Sequence, residues 1–322
     1  MSGSSLQRRI GLPLLTFYGL GTILGAGIYV LIGEVVAEAG MLAPSAFLLA
    51  AVLAGVTAFS FAELGARIPK SAGEAAYTMH AFDRRWLSAS VGWAVVTVGT
   101  VSAATMVRGF VGYLGVFADI PDGLVVLVVV ATLAAVAAWG IGQSMIAAAA
   151  ITALEILGLV FVCIIAIDSV GVAAGNWTDV LPGPDTAAVI GVVSGAFIAF
   201  YAFIGFEDMV NVAEEVRDAP RNLPRAILLS LFVASFLYFA VALIAVFAVP
   251  NQALAGNEAP LAVIVESRGW PGEIIAAVSL FAVVNGALVQ IIMASRVLYG
   301  LAAERLAPKL LGRINETTRT PL

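Results

Sequence analysis

Long apolar runs alternate with short polar breaks along the whole chain. A helix needs about 20 apolar residues to cross the hydrocarbon core of a bilayer, and eight of the runs approach or exceed this length. They cover residues 12–36, 43–67, 87–115, 123–140, 147–170, 187–211, 225–249 and 271–302. The pattern therefore predicts an all-α polytopic membrane protein with eight transmembrane spans.

The breaks between the runs carry residues that typically begin helices. After the second run, Ser71 and Glu74 have the spacing of a capping box and predict a short helix that leads into the third span. Before the seventh run, Asn222 predicts a helix N-cap, with Pro224 in the first helical turn.

Composition agrees with a membrane protein and excludes several functions. The chain is 61% hydrophobic and only 11% charged, whereas a soluble domain is about 25% charged. It lacks a GxxxxGK[ST] motif for ATP binding and an HExxH motif for zinc. Its single cysteine and single histidine disfavour a disulfide framework or a metal centre. We therefore expect a non-enzymatic protein in a lipid bilayer, with no cofactor, metal or nucleic-acid partner.

Positive charges indicate the orientation of the spans. With the N-terminus in the cytoplasm, 14 of the 16 Lys and Arg residues fall in cytoplasmic segments, all except Arg108 and Arg268. Such enrichment of cytoplasmic loops is typical of membrane proteins. The pattern predicts a multi-pass protein of the cytoplasmic membrane with both termini in the cytoplasm.

Glycines interrupt the first span near its middle, and two interpretations fit them. Gly21 and Gly25 form a GxxxG pattern, which is typical of close helix packing in membranes. Gly25-Ala26-Gly27 equally suits a broken helix, because glycine weakens a helix and unwound backbone at this depth is tolerated beside a cavity. The first span alone does not decide between these interpretations.

The sixth span contains a similar interruption and favours the broken-helix interpretation. Gly205 lies near its middle, and Glu207 and Asp208 lie just after it. Charged residues at membrane depth are rare and usually face an interior path. Interruptions in two spans that are five spans apart are typical of an inverted-repeat transporter with its site between discontinuous helices.

Four stretches resemble the amino acid–polyamine–organocation (APC) superfamily of permeases. They are GLGTILGAGIY, IPKSAGEAAY, FYAFIGFEDMVNVAEEVRDAPRNLPRAI and NGALVQIIMASRVLYGLAAERLAPKLLGRINETTRTP. The resemblance covers essentially the whole chain and implies a LeuT-like inverted-repeat fold with broken helices 1 and 6. It assigns residues 1–174 to a first five-helix repeat and 175–322 to a partial second repeat with a cytoplasmic C-terminal tail.

The chain departs from that family in the number of spans. Members usually have twelve, whereas this sequence stops at Leu322, after the eighth. We expect either a fragment of a longer protein or a chain whose missing helices come from another subunit of an oligomer. A truncated or accessory membrane subunit without transport of its own is the alternative to a transporter.

The resemblance places the substrate at the two breaks. In such permeases, backbone N–H groups of the first break, here residues 25–27, bind the substrate carboxylate, and backbone carbonyls of both breaks hold the amino group. The matching positions for substrate binding are Ile23, Gly25, Ala26, Gly27, Tyr201, Ala202, Ile204 and Gly205. Tyr201 with Phe203 matches an aromatic gate above the substrate, and Glu207 matches a carboxylate of the gating network.

The function implied is secondary active transport of amino acids by alternating access, either proton-coupled or by exchange. Glu155 lies about 12 Å along the predicted fifth span. At that depth a carboxyl group is costly unless it is paired, so Glu155 is a candidate for proton coupling, with a structural hydrogen-bonded carboxyl as the alternative. We expect a general or neutral amino acid as substrate, and Glu207 keeps a cationic amino acid or a polyamine as the alternative.

Overall fold

The chain is folded as α-helices joined by short turns. A computed structural model describes residues 6–25, 27–115, 117, 120–172, 177–183, 185–257, 259–315, 318, 320 and 321. The α-helices of this part are α1 (Leu12–Leu24), α2 (Gly27–Ala39), α3 (Ala43–Arg67), α4 (Gly73–Phe82), α5 (Arg85–Gly115), α6 (Asp122–Trp139), α7 (Ile141–Ile165), α8 (Ile167–Val172), α9 (Thr186–Phe203), α10 (Ala219–Ala248), α11 (Asn251–Leu254), α12 (Pro260–Ser267) and α13 (Glu273–Ala303). In the described residues, extended pairing is limited to two isolated bridges.

The helices confirm the prediction of an all-α multi-pass membrane protein. Within the described residues, eight helical segments are long and apolar enough to cross a membrane. The predicted second span coincides with α3 at both ends. The largest errors at the start of a span are six residues: α10 begins at Ala219 rather than at the predicted 225, and α7 begins at Ile141 rather than at the predicted 147. The turn there is confined to Gly140, whose φ of +142° suits glycine.

Helical structure stops near the middle of the first apolar run. α1 ends at Leu24, and the N–H of Gly25 still donates to the carbonyl of Gly21 at 3.3 Å. The next helix, α2, begins at Gly27. Ala26, one of the predicted binding positions, lies outside the described residues.

The sixth apolar run is interrupted in a similar way. α9 ends at Phe203, and a 3₁₀ segment then runs over Phe206–Glu215. Between them Gly205 has a φ of +132°, which residues other than glycine rarely adopt. The regular helix therefore ends where the sequence places a glycine followed by two carboxylates.

The interrupted spans are surrounded by other helices. α1 packs against α7, α10 and α13, while α2 packs against α9. A side chain at Gly21 would collide with the hydroxyl of Thr152 on α7 and the amide of Asn285 on α13. The close-packing interpretation is therefore right for Gly21, which lets α1 approach both neighbours.

The predicted capping box before the third span is wrong. α4 begins at Gly73 after Ala72, whose φ is +59°, and it has no side-chain cap. The Glu74 carboxylate instead accepts a hydrogen bond from the amide of Asn211 at 3.4 Å, and Ser71 contributes only its backbone N–H, to Glu214. Partners that are distant in sequence therefore replace the local cap.

The predicted N-cap of the seventh span is also wrong. α10 begins at Ala219 after Asp218, so Asn222 lies within the helix and Pro224 lies further inside it. Pro220 already occupies the first turn, where proline has no helical hydrogen bond to lose. The helix consequently starts earlier than the apolar pattern indicates.

Candidate functional site

A cavity of about 270 Å³, here called the central cavity, lies where the two interrupted spans meet. Its lining consists of Thr22, Ile23, Gly25, Gly27, Leu31, Ser102, Met106, Tyr201, Ala202, Ile204, Gly205 and Gln290. Seven of the eight predicted substrate-binding positions are among these residues. The fold thus brings both halves of the predicted site to one space, of a size that suits a small ligand.

The two interruptions approach each other backbone to backbone. A Cβ atom at Gly205 would lie 2.6 Å from the carbonyl oxygen of Thr22, so a larger residue does not fit. A Cβ atom at Gly27 would lie 3.2 Å from Cα of Ala202. Gly27 therefore lines the central cavity and also permits close contact between α2 and α9.

Backbone donors border the central cavity at the start of α2. The first N–H groups of a helix have no intrahelical partner and carry partial positive charge, which suits an anion. Gly27 supplies the first of these groups and lines the cavity. The N–H of Gly25 instead donates to the carbonyl of Gly21. In this conformation the N–H of Gly25 is therefore already used within the first span.

Tyr238 on α10 contacts two of the backbone carbonyls in the site, and the sequence reasoning missed it. Its hydroxyl lies 2.6 Å from the carbonyl oxygen of Ile23 and 3.0 Å from that of Ala202. A carbonyl oxygen has two lone pairs, so each keeps one acceptor position. A fully buried tyrosine needs such partners, and Tyr238 connects the end of α1 to the end of α9.

The two predicted gate residues have different surroundings. Tyr201 lines the central cavity, and its side chain is 66% exposed. Phe203 is fully buried, with its ring centroid 4.9 Å from that of Tyr238. Tyr201 therefore has room to change its rotamer, whereas Phe203 is held in the core.

The carboxylates after the second interruption have separate partners. Oε2 of Glu207 accepts a hydrogen bond from the N–H of Gly205 at 2.8 Å, which stabilises the turn. Oδ2 of Asp208 accepts one from the amide of Gln290 at 2.7 Å. Because Gln290 also lines the central cavity, Asp208 is connected to the site through this amide.

Glu155 is fully buried and belongs to a network around the first span. Its Oε1 accepts a hydrogen bond from the amide of Asn285 at 2.9 Å, and its Oε2 has no partner in the described structure. Its backbone carbonyl accepts one from the hydroxyl of Tyr29 on α2 at 2.7 Å. Because Asn285 also borders Gly21 on α1, the network contacts both parts of the interrupted span.

A buried ion pair lies near the end of the sixth span, and the charge pattern of the sequence does not reveal it. Nε of Arg296 on α13 lies 3.1 Å from Oε2 of Glu215, and the side chains are 1% and 0% exposed. The backbone carbonyl of Glu215 accepts hydrogen bonds from the N–H groups of Arg9 and Ile10. The pair therefore joins α13 to the end of the sixth span, and the backbone of the sixth span at Glu215 contacts the segment before α1.

The helices and the central cavity define a polytopic membrane protein with a small-ligand cavity between two interrupted spans. The sequence model described as "Amino acid permease" matches residues 10–322. The chain belongs to this family, and its resemblance to the APC superfamily is confirmed.

Curated relatives cover nearly the whole chain. It is 30% identical to "Cationic amino acid transporter 2, vacuolar" of Arabidopsis thaliana, an alignment that covers 99% of this chain and 53% of that protein. It is 28% identical to "Branched-chain amino acid permease BcaP" of Bacillus subtilis, over 98% of this chain and 72% of that protein. It is also 28% identical to "Cationic amino acid transporter 4" of Homo sapiens, over 99% of this chain and 53% of that protein. The chain thus spans about half the length of the cationic transporters.

Proposed function

We propose that this chain carries the substrate site of a secondary active transporter that moves amino acids across a membrane by alternating access. The observation that supports this proposal is the central cavity, where predicted binding positions from both interrupted spans line one space. The family supports the same assignment, because the relatives are named as amino acid transporters and permeases rather than as enzymes.

The proposed ligand pose follows from the charges of a zwitterion. The substrate carboxylate lies at the N-terminus of α2, where free N–H groups and the helix dipole favour negative charge. Gly27 supplies the first donor, and Ala26 is proposed to contribute from the turn. The α-amino group lies among the carbonyls of Ile23, Tyr201 and Ile204, each a residue that lines the cavity.

The proposed gate is Tyr201, whose exposed ring has room to cover a ligand in the central cavity. Phe203 contributes by holding the end of α9 against Tyr238 rather than by moving itself. Glu207 fixes the turn at Gly205 through its hydrogen bond, so displacement of this carboxylate is a means of changing the gate.

We propose Glu155 as the group that takes up a coupling proton. It is fully buried, and one carboxyl oxygen has no hydrogen-bond partner in the described structure. Protonation supplies a donor at that position and removes a buried charge. Because the surrounding network contacts α1 and α2, the change in charge acts directly on the interrupted first span.

We further propose that the protein resides in the cytoplasmic membrane with both termini in the cytoplasm. The distribution of Lys and Arg residues supports this orientation. A reporter fused after Leu322 should be active only if it is a reporter that functions in the cytoplasm, and activity of a periplasmic reporter there would contradict the topology.

Reconstitution of the full chain into liposomes tests the proposed function. A carrier shows saturable uptake of labelled amino acids and counterflow, in which unlabelled amino acid inside the vesicle accelerates entry of the label. Uptake without saturation or counterflow would indicate a channel. Binding of amino acids without any uptake would indicate an accessory subunit, and either outcome would overturn the proposal of a transporter.

A further inference from the structure

A second cavity, of about 280 Å³, adjoins the central cavity on the side of α4 and carries three carboxyl groups. The carboxyl groups belong to Glu74, Glu207 and Asp208. We call this space the acidic cavity. Its other lining residues are uncharged, namely Val91, Ala94, Val95, Val98, Ser102, Ile204, Gln290 and Met293. No Lys, Arg or His side chain is among the described residues that line it.

Two of these carboxyl groups are buried with only neutral partners. The Glu74 side chain is partly buried, its Oε1 accepts a long hydrogen bond of 3.4 Å from Asn211, and its Oε2 is buried with no partner in the described structure. Asp208 is 5% exposed and accepts a hydrogen bond from the amide of Gln290. Buried carboxylates without a cation are strongly unfavourable, so this cavity favours a positively charged occupant.

Nearby cations of the protein are already paired elsewhere. Arg296 on α13 pairs with Glu215 at 3.1 Å, and neither residue lines the acidic cavity. Lys70, which precedes α4, pairs with Glu304 at 2.6 Å on an exposed surface. The positive charge that the acidic cavity favours is therefore not supplied by these side chains.

The shape and composition of the acidic cavity suit an organic cation. In the described part of the chain, no three His, Cys, Asp or Glu side chains lie close enough together to hold a metal ion. Much of the cavity wall is apolar and comes from α5 and α13, which suits the methylene groups of a lysine-like chain. Ser102, Ile204 and Gln290 line both cavities, so a chain extending from the central cavity reaches the acidic one.

We propose that the acidic cavity binds the terminal ammonium or guanidinium group of a basic amino acid whose α-amino and α-carboxylate groups occupy the central cavity. This inference rests on the proposed function and assigns its substrate class. Glu74 and Asp208 accept charge-assisted hydrogen bonds from the terminal cation. The methylene groups pack against Val95, Val98 and Met293. A neutral amino acid of the same length leaves both carboxylates without a cation.

The protonation of Glu74 supports the assignment. Burial, together with the nearby charge of Glu207, raises the pKa of the Glu74 carboxyl to about 7. The other titratable groups that interact with it are Asp208 and the hydroxyl of Tyr77 on the same helix. A bound cation favours the ionised carboxylate and opposes this rise in pKa. Binding of a basic amino acid near neutral pH therefore releases a proton.

Calorimetric titration of the full chain with L-lysine and with L-norleucine tests the proposal. Norleucine has the same chain length but lacks the terminal ammonium group. At about pH 8 we expect lysine to bind about tenfold more tightly, which is the effect of one favourable charged hydrogen bond. Glu74→Gln and Asp208→Asn should each reduce this preference to about threefold or less. Glu63→Gln is the matched control, because Glu63 is 60% exposed in a surface pair with Arg67.

The outcomes separate this inference from the proposed function. Equal affinity for lysine and norleucine in the parent protein would overturn the acidic cavity as a site for the terminal cation. A lysine preference that survives both substitutions would overturn it as well. So would substitutions that change only the pH dependence, because the carboxylates would then bind protons alone. If neither lysine nor norleucine binds the parent protein, the proposed function fails together with this inference.

Discussion

The buried pair of Arg296 and Glu215 gives the sharpest prediction for stability. Replacing Arg296 with Met leaves the Glu215 carboxylate without its cation at a position that is 0% exposed. Breaking one side of a buried pair typically destabilises a protein by about 3–5 kcal/mol. The hydrogen bonds from the N–H groups of Arg9 and Ile10 go to the backbone carbonyl of Glu215, so this substitution leaves them in place and the cost comes from the unpaired carboxylate.

Removing both charges should be far less harmful than removing one. The double variant Arg296→Met with Glu215→Leu places two apolar side chains of similar size in a buried site, which is often close to neutral. We therefore expect it to recover most of the stability that Arg296→Met loses. The control is Arg67→Met, because Arg67 is 72% exposed and its pair with Glu63 should contribute less than about 1 kcal/mol.

Unfolding in mixed micelles of increasing SDS fraction measures these differences, with the fluorescence of the chain's five tryptophans as the signal. Measuring the parent, Arg296→Met, Glu215→Leu and the double variant gives the four free energies of unfolding of a double-mutant cycle. An Arg296→Met variant as stable as Arg67→Met would refute the reasoning. So would a double variant whose loss equals the sum of the two single losses.

Three further predictions concern coupling, backbone conformation and pH. Glu155→Gln should abolish acid-stimulated uptake in proteoliposomes while counterflow persists, and unchanged pH dependence in a well-folded variant would remove Glu155 from the mechanism. Gly205→Ala should lower the free energy of unfolding by at least about 1–3 kcal/mol, because its Cβ would lie 2.6 Å from the carbonyl oxygen of Thr22 at a φ of +132°; parental stability would contradict this. Since the pKa of Glu74 is raised to about 7, the preference for lysine over norleucine should increase from about pH 6 to about pH 8 as this carboxyl ionises. Glu74→Gln should flatten that increase, and a preference independent of pH in the parent would contradict the assignment.

The apolar pattern and the turn residues predict a helix well where they alone determine its ends. The second span is correct at both ends because Pro44 lies in its first turn and Pro69 follows its end. Glycine spacing also points to both interruptions, since Gly25, Gly27 and Gly205 lie where regular helix stops. The wrong caps have other causes: at α4 the distant residue Asn211 binds Glu74, and at α10 Pro220 already occupies the first turn.

The sequence predicts the backbone positions of the candidate site but not the side chains that surround them. Seven predicted positions line the central cavity, although their role in binding stays a prediction. The side chains that connect the site come from other helices and carry no local signal. Tyr238 lies 215 residues from Ile23, and Gln290 lies 82 residues from Asp208. A single polar residue in an apolar run indicates that a partner exists, but only the fold identifies it.

The assignment of Gly27 also needed the structure. The sequence presents close packing and a substrate cradle as alternatives, whereas Gly27 both lines the central cavity and lies against Ala202. A bulky residue at Gly27 would therefore disturb helix packing and ligand binding together. Ser102 on α5 is a cleaner position, because it lines the cavity without being an interhelical glycine.

Ligand-induced thermal stabilisation of Ser102→Trp, compared with Ala104→Trp, tests the central claim most directly. Ser102 lines the central cavity, whereas Ala104 lies on an exposed face of the same helix. At one hundred times the dissociation constant, a bound amino acid stabilises the folded protein by about 2.7 kcal/mol. With L-leucine and L-lysine as probes, we expect this gain in the parent and in Ala104→Trp, and its loss in Ser102→Trp. An equal gain in all three proteins would mean that amino acids bind elsewhere.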